Sequence, residues 1–341
     1  MSNSSQVDAS TEANRLVADG RILDAIPLLS AAVAAGATGP PEILLAELRN
    51  RAYPEIEPRS DFPSWPAPVY DLDLSAPPLI PRIAPADLRA DDVRREMLTH
   101  GSVHVPGLLD PSQIERFVQG IQQALATRKT MAESPYKKGS PWFSGLPLPR
   151  EQAQSLGRPW IAGAGGMLAC DSPRMLELIF TTYEAVGLRR LLTDYLGERP
   201  ILSANKCTLR EVPTTANTDW HQDGAFIGTG VRALNVWIAL TDCGVDAPGM
   251  DLVPRRFEDI QETGTGGAIF DWAVGPDTVA LLTRDHPVVR PQFRAGDALL
   301  FDDLYLHRTA IGPDMTRTRY ALESWFFAVT DYPASQVPLV W

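Results

Sequence analysis

The chain has 341 residues, 44% of them hydrophobic, which is enough for one large domain with an appendage. Its net charge of −11 argues against binding to nucleic acid, whose phosphates attract basic surfaces. No apolar stretch approaches the length of a transmembrane helix, and polar residues 1–10 lack the apolar core of a secretory signal. We therefore expect a cytoplasmic protein without a membrane partner, and its three cysteines fit a reducing compartment.

The N-terminal region is predicted to form a helical hairpin followed by a linker. Apolar residues recur at helical spacing between residues 13 and 51, Gly20 ends a short first helix, and Pro40-Pro41 separates the two halves. The pattern resembles half of a tetratricopeptide unit, but one unit cannot form a peptide-binding array, because each repeat needs neighbours to bury its faces. We predict that residues 1–52 form an appendage that docks on the main domain, and that Pro-rich residues 53–86 form a linker or strap.

Residues 87–341 are predicted to form the main domain. Its first part reads as a helix over 91–100, a short strand, and a helix capped by Ser112 that runs to about residue 125. Residues 127–169 are rich in Gly, Pro and Ser, and long irregular segments of this kind are often lids that contact a substrate. A pair of helices over 172–197 is expected to brace the outside of a sheet.

From residue 200 onward the hydrophobic period changes to two, which predicts strands. The strands are expected at residues 201–210, 231–240, 250–253, 297–303 and 317–328. Within 231–240, one face is aliphatic and should pack on helices, whereas Asn235 and Trp237 share the other face and should point into a barrel. The alternative for Asn235 is a buried amide that bonds to the backbone.

The most informative motif is His221-Gln222-Asp223, followed 86 residues later by His307. On an extended strand, residues i and i+2 point to the same side, so His221 and Asp223 could bind one metal ion. A third ligand would close one face of the site and leave positions for a co-substrate and dioxygen. A β-barrel or double-sheet jelly roll would bring His307, at the end of its strand, to the pair. The alternative is a pair of polar residues in a surface turn.

Four features in this order resemble the phytanoyl-CoA dioxygenase (PhyH) family of iron(II)/2-oxoglutarate oxygenases, over roughly residues 85–330. They are Trp220-His221-Gln222-Asp223, Asn235-Val236-Trp237-Ile238-Ala239-Leu240, Gly296-Asp297-Ala298-Leu299-Leu300-Phe301 with His307, and Arg319-Tyr320-Ala321-Leu322. The resemblance implies an α+β fold whose mainly β core is a double-stranded β-helix (jelly roll, cupin-like) braced by helices.

The resemblance also implies the roles of individual residues. His221, Asp223 and His307 would hold iron(II), with 2-oxoglutarate and O2 as co-substrates. Arg319 would bind the distal carboxylate of 2-oxoglutarate through its bidentate guanidinium, assisted by Thr309. Asn235 and Trp237 would complete the co-substrate pocket. Because the spacing from His307 to Arg319 is one residue longer than the family pattern, Arg317 is the alternative anchor.

The activity that the resemblance implies is a 2-oxoglutarate-dependent dioxygenase that hydroxylates an unactivated C–H bond of a small molecule, giving succinate and CO2. Related halogenases lack the carboxylate ligand, so Asp223 favours hydroxylation, or desaturation, cyclisation or epimerisation by the same oxidant. Where many relatives carry Gly-Ser-His, this chain has Arg255-Arg256-Phe257, and the two arginines could bind an anionic substrate or lie on the surface. The alternatives are a non-catalytic metal-binding scaffold and a cupin-type isomerase or hydrolase that uses another divalent metal.

Overall fold

The computed structural model describes residues 3–59, 61, 72, 79–133, 139–157, 159–216, 219–228 and 230–341. The α-helices are α1 (Asn3–Ala18), α2 (Ile22–Ala34), α3 (Pro40–Arg51), α4 (Ala90–His100), α5 (Pro111–Ala132), α6 (Arg150–Ser155), α7 (Pro159–Gly163), α8 (Pro173–Ala185), α9 (Leu188–Leu196), α10 (Gly224–Ile227) and α11 (Pro276–Leu282). The strands are β1 (Ser102–Val105), β2 (Gly166–Leu168), β3 (Ile201–Val212), β4 (Ala233–Ala239), β5 (Gly249–Leu252), β6 (Ala298–Phe301), β7 (His307–Ala310), β8 (Arg319–Phe327) and β9 (Pro338–Val340).

The strands form two antiparallel sheets. The larger sheet has the order β1-β6-β4-β8-β3-β2, with β9 also paired to β3. The smaller sheet consists of β5 and β7, in which Leu252 pairs with His307 and Gly249 with Ala310. Neighbours in both sheets are far apart in the chain, which is how a jelly roll brings distant segments together.

The two faces of the larger sheet have different partners. On β4, Leu234, Val236 and Ile238 belong to the core shared with helices α8 and α9. Trp237 and its same-face neighbours pack instead against Met250 and Leu252 of the smaller sheet. The aliphatic face of this strand thus packs on helices and the face with Asn235 and Trp237 lies inside the barrel. The jelly-roll fold class and this assignment of faces are both confirmed.

The N-terminal region has three helices, whereas the sequence predicted two. The short first helix that Gly20 was predicted to end is α1, and the halves separated by Pro40-Pro41 are α2 and α3. Helix α1 packs on both α2 and α3. The α3 helix docks through Arg49, which forms a buried ion pair of 2.7 Å with Glu177 on α8 and donates to the carbonyl of Val340 on β9. The boundary at residue 52 stays a prediction, and most of the expected strap over 53–86 lies outside the described residues.

Two local predictions for the first part of the main domain were wrong. The α5 helix is capped by Asp110, whose side chain accepts from the Gln113 N–H, and not by Ser112. The α5 helix also continues to Ala132 and does not end near residue 125. Trp142, from the expected lid, packs on the main core under the guanidinium of Arg174. The predicted role of residues 127–169 in substrate contact stays a prediction. None of the described helices is long and apolar enough to cross a bilayer.

Candidate metal centre

The structure brings His221, Asp223 and His307 together, with one potential ligand atom from each within 4.8 Å of the others. His221 and His307 face each other across an isolated β-bridge, and each backbone N–H donates to the other's carbonyl at 3.0 Å. This bridge extends the pairing of the smaller sheet to the segment that carries the His-x-Asp pair. The predicted convergence of three residues from distant parts of the chain is therefore present in the fold.

The local conformation of the triad differs from the sequence prediction. Asp223 does not lie on an extended strand: its backbone is helical (φ −63°, ψ −24°), and it precedes the short helix α10. The turn is anchored by the Gly224 N–H, which donates to the carbonyl of Asp303 at 2.8 Å. His307 begins β7 rather than ending the preceding strand. The side chains of His221 and Asp223 lie close together because His221 forms a single β-bridge and a helical turn follows at once.

Hydrogen bonds orient both imidazole rings. The Nδ1 atom of His221 lies 2.8 Å from the carbonyl of Asp219, and Nδ1 of His307 lies 2.9 Å from the carbonyl of Tyr305. A carbonyl only accepts, so each Nδ1 carries the proton and donates it. Each ring therefore presents an unprotonated Nε2, which is the form that binds a metal ion.

The carboxylate of Asp223 divides its two oxygens between a lysine and the triad. Oδ1 accepts from the ammonium of Lys206 on β3 at 2.6 Å, and both side chains are buried. Oδ2 lies 3.7 Å from Nε2 of His307. With one oxygen bound to Lys206, the carboxylate presents a single oxygen to a metal ion, as expected of a one-point ligand.

The electrostatic environment keeps all three residues in the protonation state that binds metal. Burial, together with the neighbouring His307, lowers the pKa of His221 to about 4, and burial also lowers the pKa of His307. Burial alone would raise the pKa of Asp223, but the positive charge of Lys206 outweighs it and holds that pKa at about 2. At neutral pH the site thus has two neutral imidazoles and one carboxylate.

A buried guanidinium lies further along the barrel from the triad. Arg319, at the start of β8, is only 3% exposed, and its Nη1 donates to the carbonyls of Pro248 and Gly249. No described carboxylate forms an ion pair with it, and its Nε has no hydrogen-bond partner in the described part of the chain. Burial lowers the pKa of Arg319 to about 10, so the side chain still carries its charge at neutral pH. Such an unpaired buried cation favours an anionic ligand.

The other residues predicted to bind the co-substrate lie on the same inner surface. The ring of Trp237 lies 5.4 Å from the Arg319 guanidinium carbon. Asn235 is 1% exposed, and both atoms of its amide lack a partner among the described residues, so bonding to the backbone does not account for it. Thr309 follows His307 by two residues on β7, which places both on one face of that strand.

The arginines that the sequence left as alternatives lie elsewhere. Arg317 is half exposed, precedes β8, and lies 3.3 Å from the carboxylate of Asp246. Arg256 is mostly buried and pairs with the buried Asp302. Arg255 lies over the ring of Phe257. Arg256 therefore has an internal partner, and the idea that this pair binds an anionic substrate gains no support from its contacts.

Sequence reasoning missed Lys206 and Arg210, two cations on the inner face of β3. Arg210 is 7% exposed and lies beside Ala321 of β8, and its Nε has no partner among the described residues. The available signal was the alternation of Lys206, Thr208 and Arg210 with apolar residues in a strand that otherwise reads as buried. A groove of about 660 Å³ lined by α2, α5 and α8 contains none of the predicted site residues.

Comparison with known proteins supports the family resemblance. The sequence model of the phytanoyl-CoA dioxygenase (PhyH) family matches residues 184–311, a range that contains the triad and Thr309 but stops before Arg319. No curated protein sequence matches the chain significantly.

Among solved structures, EctD from S. alaskensis, crystallised with 2-oxoglutarate and 5-hydroxyectoine, is 14% identical. The similarity covers 80% of this chain and 88% of EctD, with a TM-score of 0.51, and shows a shared fold. The alpha-ketoglutarate-dependent carbocyclase SnoK from nogalamycin biosynthesis is 17% identical over 70% of this chain and 85% of SnoK, with a TM-score of 0.46. AviO1 from Streptomyces viridochromogenes Tue57 is 16% identical over 70% of this chain and 95% of AviO1, with a TM-score of 0.42. The match of the phytanoyl-CoA dioxygenase family model to residues 184–311 confirms the resemblance found in the sequence motifs.

Proposed function

We propose that the chain is an Fe(II)/2-oxoglutarate-dependent oxygenase that hydroxylates a C–H bond of a small-molecule substrate. The observation that carries this proposal is the pairing of the His221, Asp223 and His307 triad with a buried, unpaired Arg319 on the same inner surface of the barrel. A structural metal site would need no such cation, and a buried guanidinium without an anion is costly. The PhyH match over the triad supports the same reading.

The residues present fit both groups. Two imidazole nitrogens and one carboxylate oxygen are the donor set of non-haem iron(II) sites that keep positions open. Arg319 and the unpartnered amide of Asn235 would hold 2-oxoglutarate, with Trp237 packing beside it, and Thr309 would assist at the distal carboxylate. When bound, iron(II) and 2-oxoglutarate supply the oxidising chemistry that transfers oxygen from O2 to a C–H bond, with succinate and CO2 as co-products.

The protein's own residues orient these groups and exclude water. The Asp219 and Tyr305 carbonyls fix the two imidazole rings, and Lys206 fixes the carboxylate of Asp223. Because every ligand is already deprotonated on its metal-facing atom at neutral pH, metal binding need not release a proton. The buried Arg319 places a fixed positive charge in a dry environment, where its attraction to a carboxylate is stronger than in water.

The test is an anaerobic titration of the metal-free protein with iron(II) and then 2-oxoglutarate. We expect the weak visible charge-transfer band of the 2-oxoglutarate chelate, followed by succinate formation on admission of O2. In Arg319→Ala the band should require at least about ten-fold more 2-oxoglutarate, the equivalent of 1.4 kcal/mol. The matched control is Arg317→Ala, which removes a half-exposed arginine two residues away and should leave the titration unchanged.

Two outcomes would contradict the proposal. Iron binding without the band would favour the scaffold or the isomerase and hydrolase alternatives, which need no 2-oxoglutarate. A band whose 2-oxoglutarate dependence changes in Arg317→Ala and not in Arg319→Ala would show that the anchor has been assigned to the wrong arginine.

A further inference from the structure

Three aromatic side chains form a continuous surface that runs outward from the metal centre. Phe226 lies on α10, and Phe270 and Trp272 lie in the loop before α11; we call these three residues the aromatic wall. The ring centroids of Phe226 and Trp272 lie 6.2 and 5.9 Å from that of His221 and 5.8 Å from each other. Trp272 and Phe270 stack at 5.1 Å with their planes only 7° apart.

The aromatic wall becomes more exposed with distance from the triad. Phe226 and Trp272 are partly buried, Phe270 is 42% exposed, and its neighbour Ile269 is 69% exposed. Exposed large apolar side chains are few in the described part of the chain, and two of them are adjacent here. An apolar surface that begins at a metal ligand and ends in solvent is characteristic of a ligand groove.

Support of His221 alone does not account for this arrangement. Phe226 and Trp272 already contact the His221 ring, whereas the ring contact of Phe270 is with Trp272, further from the metal centre. A residue needed only to orient the His221 ring would be buried against that ring. Phe270 instead extends the flat face of Trp272 toward solvent, which costs exposed apolar area in the free protein.

The wall offers stacking surface rather than charge. Lys206 lies 4.7 Å from the ring centroid of Phe226, but its ammonium is already bonded to Asp223 at 2.6 Å. The carboxylate of Asp219 beside the loop accepts from the backbone N–H of Ile269. Lys206 and Asp219 therefore have partners within the protein, and the exposed Asp271 lies between Phe270 and Trp272 in the sequence. The nearly parallel rings of Phe270 and Trp272 favour a flat ligand.

We propose that the aromatic wall is the docking face for the oxidised substrate, and that this substrate contains a planar, largely apolar ring system. The ring lies against Trp272 and Phe270 with its reacting edge toward the metal triad. This inference rests on the proposed function, because it places the substrate beside the iron and 2-oxoglutarate site. It names the class of substrate that the oxygenase takes.

The test compares 2-naphthol with decahydro-2-naphthol, which has the same carbon skeleton but is not planar. Binding of each probe is measured by calorimetry, in the metal-free protein and in the protein loaded anaerobically with iron(II) and 2-oxoglutarate. We expect wild type to bind 2-naphthol about three- to ten-fold more tightly than the saturated probe. Trp272→Leu should remove this preference, and Trp272→Phe should retain most of it.

Two further variants guard against a folding defect. Phe270→Ala changes an exposed side chain and should weaken 2-naphthol binding without changing the unfolding midpoint. Val245→Ala, which changes a 60% exposed apolar residue outside the wall, should bind both probes as wild type does. Equal affinity of wild type for the two probes, or an unchanged preference in Trp272→Leu, would overturn the inference.

The failure of this inference is distinguishable from the failure of the proposed function. The 2-oxoglutarate chelate band is recorded for wild type and for Trp272→Leu. A normal band without any preference for the planar probe refutes the docking face alone. If wild type gives no band, the oxygenase assignment fails, and the metal-free titrations still decide whether the wall binds planar rings.

Discussion

At the scale of single residues, the two histidines of the candidate centre share one local device. In each case Nδ1 donates to the carbonyl two residues earlier, Asp219 for His221 and Tyr305 for His307. Because the acceptor is a backbone carbonyl, this hydrogen bond cannot be predicted from the identity of the neighbouring side chains. It fixes the tautomer of both rings before any metal binds, which reduces the reorganisation needed to form the site.

Asn235 is predicted to stabilise the co-substrate at the expense of the fold. Its buried amide has no partner among the described residues, so replacing it by the similarly sized Leu removes an unsatisfied polar group. We expect Asn235→Leu to raise the free energy of unfolding of the metal-free protein by about 1–3 kcal/mol in urea titrations. The same variant should weaken 2-oxoglutarate binding by about ten-fold, measured by the chelate band.

Asn205 supplies the matched control for this variant. Its buried amide donates to the carbonyl of Ser155 and accepts from the Val337 N–H. Asn205→Leu would leave these two groups without partners, so it should destabilise the protein. If Asn235→Leu is destabilising to a similar extent, Asn235 is bonded in solution and its role in binding 2-oxoglutarate loses its main support.

Lys206 is predicted to balance the negative charge of Asp223 in the metal-free protein. Removing one partner of a buried ion pair costs about 3–5 kcal/mol, so Lys206→Met should destabilise the metal-free protein by an amount of that order. Iron(II) would neutralise Asp223 in the lysine's absence, so the destabilisation should be smaller when iron is bound. By linkage, the variant binds iron more tightly, ten-fold for each 1.4 kcal/mol of this difference.

The measurement is urea unfolding of wild type and Lys206→Met with a chelator and with saturating iron(II) under anaerobic conditions. Arg49→Met breaks another buried ion pair, on α3, and its cost should be the same in both conditions. An equal loss for Lys206→Met with and without iron would show that Lys206 has only a structural role.

At the scale of elements, the sequence predicted a strand well where its two faces pack against different parts of the protein, because residue types then alternate along the strand. Both faces of β4 are buried, yet one packs on helices and the other in the barrel, so the aliphatic set separates cleanly from Asn235 and Trp237. The same reasoning failed at Asp223, because the turn of α10 is set by the contact of Gly224 with Asp303, which is distant in sequence. The residues next to the His-x-Asp pair in the sequence do not predict that contact.

The docking of α3 on α8 is predicted to depend on a buried charge network. Arg49 pairs with Glu177 and its guanidinium lies 4.0 Å from the centroid of Phe180. Arg49→Met should lower the free energy of unfolding by about 3–5 kcal/mol, because Glu177 is left buried and unpaired. The double variant Arg49→Met/Glu177→Leu should recover most of the loss, as shown by a double-mutant cycle in urea.

Additive losses in this cycle would show that the two side chains act independently. An exposed pair on α1, Arg15 and Glu12, serves as the control, since surface ion pairs contribute little and the corresponding double variant should leave stability nearly unchanged.

At the scale of the whole molecule, the sequence predicted which residues meet but not what covers them. His307 and Arg319 begin strands, His221 and Asp223 lie in a turn, and the order of these motifs could be matched to a family. The docking of α3 on α8 and β9 could not be predicted, because it depends on contacts between distant residues, such as Arg49 with Glu177, separated by 128 residues, and Arg49 with the carbonyl of Val340. For Arg256 the sequence left a substrate contact and a surface position as alternatives, and only the fold places it against the buried Asp302.

The stability of the metal-free protein is predicted to depend on pH through buried groups whose pKa values are shifted in opposite directions, among them Asp303 and His221. Burial raises the pKa of Asp303 to about 7, helped by the neighbouring charge of Asp302. Its stabilising contribution is therefore complete below its unfolded pKa of about 4 and is lost as the pH rises to 7. The pKa of His221 is lowered to about 4, so its contribution is complete above its unfolded pKa of about 6.5 and is lost as the pH falls.

Between about pH 4 and 6.5 these two contributions have opposite slopes, so the wild-type profile should be flattened there and should decline toward pH 7.5. Asp303→Asn removes the falling contribution of this residue and leaves that of Asp171, whose pKa burial raises to about 6. We expect the variant to lose the decline in the free energy of unfolding that wild type shows above pH 6.5, in urea titrations with a chelator present. Asp314→Asn, on the exposed loop before β8, should run parallel to wild type. If the variant keeps the wild-type decline above pH 6.5, Asp303 is ionised in the folded protein. The turn that holds Gly224 beside the triad would then tolerate a second negative charge next to Asp302.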